Sequence, residues 1–200
     1  RRLVELAVGA GMLWGAQLPM LSSKAFAPMT FADQNWREPE RGRYMAALAR
    51  FRPRMATVLD WEREEQLEEV MGWAEEAARW VEEVIVVPKV VGGVARIPEA
   101  VGGKPVRLGY SVPSRYSATP VPVGEFGKRP VHLLGGSPHA QMYFSRQMNV
   151  KSVDCNYMIG MAKRGQVWVP GYAWTASARF GPQLRELGLW QEGGPFYLAF

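Results

Sequence analysis

Cysteine and histidine are scarce: the 200 residues hold one Cys, Cys155, and two His, His132 and His139. A single thiol excludes an intramolecular disulfide, and it excludes a Cys-rich zinc site, which needs several thiolates. No apolar run approaches the roughly 18 residues of a membrane span, so no membrane is expected among the partners. Nucleotide loops are missing too. No GxGxxG turn follows a first strand, no GxxxxGKS/T loop occurs, and Gly9-Ala10-Gly11 is too short to stand for either. There is no sequence repeat, low-complexity tract or interdomain linker, so residues 1–200 read as one domain with chain enough for a sizeable core. The start, Arg1-Arg2-Leu3-Val4, has neither an initiator Met nor a signal-peptide core and reads as a trimmed end or a fragment, with a cytoplasmic setting as the expectation.

What is present is an ordinary globular composition, 48% hydrophobic and 22% charged. The formal charge of +5 hides an asymmetry. Residues 62–83 carry nine Glu and two Arg, a balance of −7, and the rest of the chain carries +12. A polyanion partner such as nucleic acid fits that excess, and so does a solvated basic surface.

The apolar runs are short and β-rich. Val4–Ala7, Met20–Ser22, Ala56–Asp60, Val84–Val87, Val106–Ser111, Val131–Leu134, Ser152–Asp154 and Val167–Pro170 read as eight strands, nearly continuous in apolar character as parallel strands buried on both faces are. Helical patterns lie between them. Pro39 suits a first helical position, with Tyr44, Met45, Leu48 and Phe51 following at helical spacing. Over residues 62–82 an apolar stripe (Leu67, Val70, Met71, Ala74, Ala78, Val81) faces a glutamate-rich side, which makes the acidic segment a solvated outer helix. Pro138 opens a further helix and residues 182–189 form a last one, whereas the stretches near 92–104 and 112–130 read as loops. Eight strands in alternation predict an α/β fold, a compact (β/α)8 TIM-type barrel, with an open doubly wound parallel sheet as the alternative.

In such folds the chemistry gathers where strands end. Those ends are Ser22, Asp60, Lys89, Gly109-Tyr110, Gly135-Gly136 and Asp154-Cys155. An Asp that closes an apolar strand either caps the next helix or belongs to a site. Two of them, Asp60 and Asp154, favour a shared site.

The stretch Val131-His132-Leu133-Leu134-Gly135-Gly136-Ser137-Pro138, a helix, and then Val150-Lys151-Ser152-Val153-Asp154-Cys155 resembles the late barrel segment of tRNA-guanine transglycosylases. There a strand ends in Gly-x-Gly-Ser/Thr-Pro, a helix follows, the next strand ends in Phe-Asp-Cys, and a basic loop similar to Lys163-Arg164-Gly165 comes after. Upstream, Val58-Leu59-Asp60-Trp61-Glu62 resembles the family's Leu-Asp-Glu strand end, and Leu108-Gly109-Tyr110-Ser111-Val112 resembles its Gly-Leu-Ala-Val substrate loop. The match runs over residues 20–170 in order, through short motifs.

The resemblance implies a pentosyltransferase that exchanges guanine for a free 7-deazaguanine base. Asp154 falls on the family's nucleophile, which attacks C1′ and forms a covalent glycosyl-enzyme. Asp60 falls on the carboxylate that reads the guanine-like edge, and Gly109 and Tyr110 on the loop whose backbone meets the base. Gly135 and Gly136 fall on the Gly-rich turn at the base pocket, and Lys89 stands where the tRNA enzymes carry Gln. The family's early strand ends in Asp-Ser-Gly-Gly-Phe, whose Asp is the general base. Here Ser22-Ser23-Lys24-Ala25-Phe26 matches it, so Ser22 replaces the base, Ser23 is a substrate contact, and Asp33 is the nearest carboxylate able to substitute. No metal or organic cofactor is implied, because the Cys/His zinc site of the tRNA enzymes has no counterpart.

A short chain without that extension favours DNA as the substrate, as in the compact phage and bacterial relatives, in which case the setting is the host cytoplasm. The target base is then flipped out of the helix. Arg115, Lys128, Arg129, Lys163 and Arg164, with Lys104, Arg107, Arg146 and Lys151, are the candidate phosphate contacts. Trp61, Tyr110, Tyr116 and Tyr157 are stacking candidates or core residues, and His139 is a phosphate contact or a surface residue. Two alternatives stand beside this expectation: the same exchange on tRNA, and a non-catalytic nucleic-acid-binding barrel in which Ser22 marks a lost general base.

Overall fold

The computed structural model describes residues 13–19, 29–114 and 118–154, and, as backbone only, three further strands at 166–169, 172–175 and 196–199. The expected strands Val4–Ala7 and Met20–Ser22 and the helix at 182–189 lie outside the described residues.

The fold is mixed α/β. Seven strands run parallel and curl into a half-barrel: β1 (Leu13–Leu18), β2 (Phe31–Gln34), β3 (Met55–Thr57), β4 (Glu83–Val86), β6 (Lys104–Ser111), β7 (Val131–Leu134) and β8 (Val150–Asp154). The two-residue β5 (Ala100–Val101) adds to β6 antiparallel. Helices α1 (Arg41–Phe51), α2 (Leu67–Ala77) and α3 (Pro138–Ser145) follow β2, β3 and β7.

Alternation along each strand divides the side chains between two cores. On β4, Val84 and Val86 join the large outer core with Tyr44, Leu48, Val70, Trp73 and Ala74 of α1 and α2. Ile85 and the following Val87 turn inward to a smaller cluster with Phe31 and Met55. Each such fully buried side chain contributes about 1.5–3 kcal/mol. With apolar residues wanted on both faces, the strands read as continuous apolar runs.

Three expectations need correction. Pro39 is not the first helical residue: Glu40 takes the extended N-cap conformation and α1 begins at Arg41. The acidic helix is shorter than residues 62–82, because a 3₁₀ turn at Glu64–Gln66 precedes α2. Val167–Pro170 is no parallel strand: β9 (Gln166–Val169) pairs antiparallel with β10 (Tyr172–Thr175), across a two-residue connection too short for a parallel crossover.

Candidate active site

Parallel strands put their C-terminal ends at one edge, and there Gln17, Asp33, Thr57 and Asp154 face inward beside the apolar Val87 and Leu134. Asp33 lies on β2 opposite Gln17 of β1. Thr57 closes β3 and sets Asp33: its hydroxyl accepts from the Gln34 N–H (2.9 Å) and donates to Asp33 Oδ1 (2.8 Å). From behind, the buried Tyr44 hydroxyl donates to the Thr57 carbonyl (2.7 Å), which ties α1 to this corner.

Asp154 ends β8. Its Oδ1 lies 3.0 Å from His132 Nε2 on β7 and accepts from the Gly135 N–H at 3.3 Å. The Gly135-Gly136 turn has positive φ at both residues, and a Cβ on Gly136 would stand 2.4 Å from Val112, so the turn around Asp154 is closed to larger residues. Ser137 then caps α3 through the Ala140 N–H, with Pro138 at the first helical position. The buried Gln141 amide donates to the carbonyls of Gly135 (2.7 Å) and Asp154 (2.9 Å), fastening turn to strand.

Asp60 follows β3. Lys89 pairs with its carboxylate at 2.7 Å and with Glu62 at 2.9 Å. Burial lifts the Asp60 carboxyl above its usual range and the Lys89 ammonium opposes the lift. Burial pulls Lys89 down, but the two carboxylates outweigh it and hold the ammonium above its ordinary value.

Asp154 and Asp60 both act on Asp33. The Asp33 carboxyl is pushed up from 3.8 to about 8, first by burial and then by the negative charge of Asp154, with a smaller push from Asp60 and a partial offset from the Thr57 hydrogen bond. Asp33 therefore carries a proton near neutral pH that it can give and take back. The raised value also sets a sign for stability. The folded protein holds this proton more tightly than the unfolded chain, so the contribution is complete below about pH 4 and drains away as the pH rises through about 8. Asp33→Asn removes that slope. Its melting temperature should fall less than the parent's between about pH 6 and pH 8.5, and equal falls measured by calorimetry would refute a proton held on Asp33.

Other sequence candidates divide by location. Gly109 faces the inner cluster, where a Cβ would stand 2.7 Å from Val87. The Tyr110 ring turns outward and packs against Phe126 and Phe144 at 5.3 and 4.9 Å, as a core residue. Trp61 is fully buried, donates to the Arg63 carbonyl and lies beneath Arg96, so it offers no stacking face. Lys128 and Arg129 precede β7, at the end of the sheet away from the aspartates. Arg129 donates to the carbonyls of Ile97 (2.5 Å) and Pro98 (2.8 Å), and Lys128's carbonyl accepts from Asn149. Lys104 and Lys151 begin their strands, and Arg146 caps the returning end of α3, so they share that far end. Arg107 points into the sheet, where it pairs with Glu83. Ser22, Ser23, Arg115, Tyr116, Tyr157, Lys163 and Arg164 lie outside the described residues.

Three residues of the interior, Glu83, Ser152 and His132, and one at its mouth carry no site role in the sequence, and Arg107, expected on phosphate, turns inward instead. Glu83, Arg107, Ser152 and His132 fall at the inward parity of their strands, a polar residue where its neighbours alternate apolar, and that parity is the signal that locates them. Trp36, in the loop after β2, is 44% exposed with the Arg37 guanidinium 5.0 Å from its ring. Ser152, His132 and Asp154 also form a Ser-His-Asp chain, but inverted relative to a hydrolase. The carboxylate lies at the strand ends, whereas Ser152 is fully buried against Arg107 and cannot reach a substrate. Among the described residues no group of three or more His, Cys, Asp or Glu is arranged to hold a metal ion, and no helix is long and apolar enough to cross a membrane.

Fold and site together define a class: a curled parallel α/β protein with a carboxylate cluster at the C-terminal ends of its strands. Residues 7–185 match the family described as "Family of unknown function (DUF6610)", and the chain belongs to that family. No curated protein and no solved structure matches it.

Proposed function

We propose that the chain is a transglycosylase that exchanges guanine for a 7-deazaguanine base in DNA. The observation that carries the reading is the convergence of Asp33 on β2, Asp60 after β3 and Asp154 on β8, with Asp33 holding a proton against the charge of Asp154. A carboxyl that holds a proton beside a second carboxylate suits a double displacement at C1′.

In the first half, Asp154 Oδ2 forms a bond to C1′ while the C1′–N9 bond breaks, and the departing guanine takes the Asp33 proton. In the second half, the incoming 7-deazaguanine yields its N9 proton to Asp33. Its nitrogen then bonds to C1′ and the Asp154 carboxylate leaves. Configuration is retained and Asp33 ends as it began. Asp60, held by Lys89, accepts from the N–H donors of the base edge. Trp36 with Arg37 lies on a loop of the same edge and supplies a stacking face for a flipped or neighbouring base.

The sheet of this enzyme closes as a compact (β/α)8-type barrel. In support, β11 (Phe196–Ala199) pairs parallel with both β1 and β8. The charge of +12 outside residues 62–83 suits a polyanion, and Arg37 is a described cation at the mouth of the site, whereas Lys104, Lys128, Arg129, Arg146 and Lys151 lie at the far end of the sheet.

The test is exchange of labelled guanine by the purified chain into duplex DNA and, in parallel, into unfractionated tRNA. Label in DNA is the expected result, joined by a 7-deazaguanine deoxynucleoside in the DNA of cells expressing the chain. Label in tRNA alone moves the assignment to tRNA. Label in neither overturns the proposal in favour of a binding protein.

A further inference from the structure

Four side chains of the sheet interior, His132 and Ser152 buried and Glu83 and Arg107 largely so, take no direct part in that exchange, and they are joined end to end. Arg107 grips Glu83 with two bonds, Nε to Oε1 at 2.9 Å and Nη2 to Oε2 at 2.6 Å. Its Nη1 reaches Ser152 Oγ at 2.5 Å, Ser152 Oγ lies 2.6 Å from His132 Nδ1, and His132 Nε2 lies 3.0 Å from Asp154 Oδ1. His132 and Ser152 are fully buried, and the Phe31 ring stacks on the imidazole at 4.8 Å.

With a neutral imidazole at His132, every bond of the chain has one direction. A guanidinium only donates, so Ser152 Oγ accepts from Arg107. In the neutral ring whose proton sits on Nε2, the single serine hydrogen points to His132 Nδ1, which accepts it. The ring proton is left on Nε2 and goes to Asp154 Oδ1. With Gly135 N–H on the same oxygen, Oδ1 is doubly bonded, while Oδ2 takes no hydrogen bond among the described residues.

We infer that Glu83, Arg107, Ser152 and His132 form a positioning relay that locks the Asp154 carboxylate in one rotamer and leaves Oδ2 as its reacting oxygen. The inference rests on Asp154 being the nucleophile, and it assigns His132 and Ser152 no contact with substrate. Packing does not demand polar groups here. Phe31, Met55 and Ile85 fill the neighbouring inward positions, and apolar side chains would avoid desolvating an ion pair. A chain whose every donor meets an acceptor holds its last member to one geometry, and a nucleophile needs that more than the fold does.

Three measurements test the relay on the full chain. In ¹⁵N spectra His132 should show the Nε2–H tautomer with Nδ1 as acceptor. An Nδ1–H ring or a doubly protonated ring overturns the proposal. Ser152→Ala cuts the chain by one atom, two bonds from Asp154. It should lower kcat for exchange about tenfold, the size of one hydrogen bond lost, with KM unchanged, and Ser152→Thr should restore it. In protein carrying ¹³C in its aspartate carboxyls, the Asp154 signal should shift in Ser152→Ala while that of Asp60 stays. An unmoved Asp154 signal, or an unchanged kcat in a parent that exchanges, overturns the relay. If the parent exchanges nothing, the function fails, and the two spectra still decide the relay.

Discussion

Asp154→Asn is expected to reduce base exchange by at least about 10³-fold while leaving the fold intact. The amide keeps the volume of the carboxylate, and its oxygen still accepts from His132 Nε2 and from the Gly135 N–H. What it loses is the anionic second oxygen, so no ester to C1′ forms and no protein–DNA adduct survives on a denaturing gel. Asp33 offers a second readout of the same variant. Its carboxyl is raised to about 8 in part by the Asp154 charge, so in Asp154→Asn it should titrate at a lower pH than in the parent. Carboxyl ¹³C titration checks that without any activity. A variant that exchanges as fast as the parent would refute the covalent route, and an unmoved Asp33 would show that the two groups do not share a site.

Parts of this site were legible in the sequence because local chemistry and global position agreed. The apolar run that stops at Asp154 announces a strand end, whereas the run Ala56–Asp60 outlasts its strand, which ends at Thr57. Gly135-Gly136-Ser137-Pro138 spells a left-handed turn, a cap and a first helical residue, and each does that job in the structure. The strands β1 and β2 were less visible. Leu13–Leu18 carries Gly15 and Gln17, and Phe31–Gln34 carries Asp33 and Gln34; Gln17 and Asp33 take inward positions at the site, and Gln34 faces the outer side. Asp33 therefore read as a loop residue although it stands on a strand beside the other carboxylates. Gly15 has its own reason to be small: a Cβ there would stand 2.9 Å from the Phe31 ring.

The basic residues show the opposite limit. Closeness in sequence to a loop does not say at which end of the sheet the loop lies. Lys128 and Arg129 sit before a strand rather than after one, and strand polarity sends them to the far end. Arg107 is in mid-strand, where only its pairing with Glu83 across two neighbouring strands explains a charge inside the sheet. That partner is 24 residues away, beyond the reach of periodicity.

This pair sets the second large effect. Both side chains are well buried, 13% and 14% exposed, with two hydrogen bonds between them. Arg107→Met strands the Glu83 carboxylate inside the sheet and should cost about 3–5 kcal/mol of stability. Glu83→Gln strands the guanidinium less completely, because Ser152 still accepts from it, and should cost less. The double variant Glu83→Gln/Arg107→Met removes both charges, and much of the loss should return, since desolvation of the pair offsets most of its attraction. Urea unfolding of the four proteins at one pH measures the cycle, and additive losses would show that the two residues do not interact. The same set separates folding from positioning. The double variant folds, yet its Ser152 has lost the donor that fixed its hydrogen toward His132. A stable protein with weakened exchange is the result that distinguishes a relay from a mere brace, because a brace would recover activity together with stability.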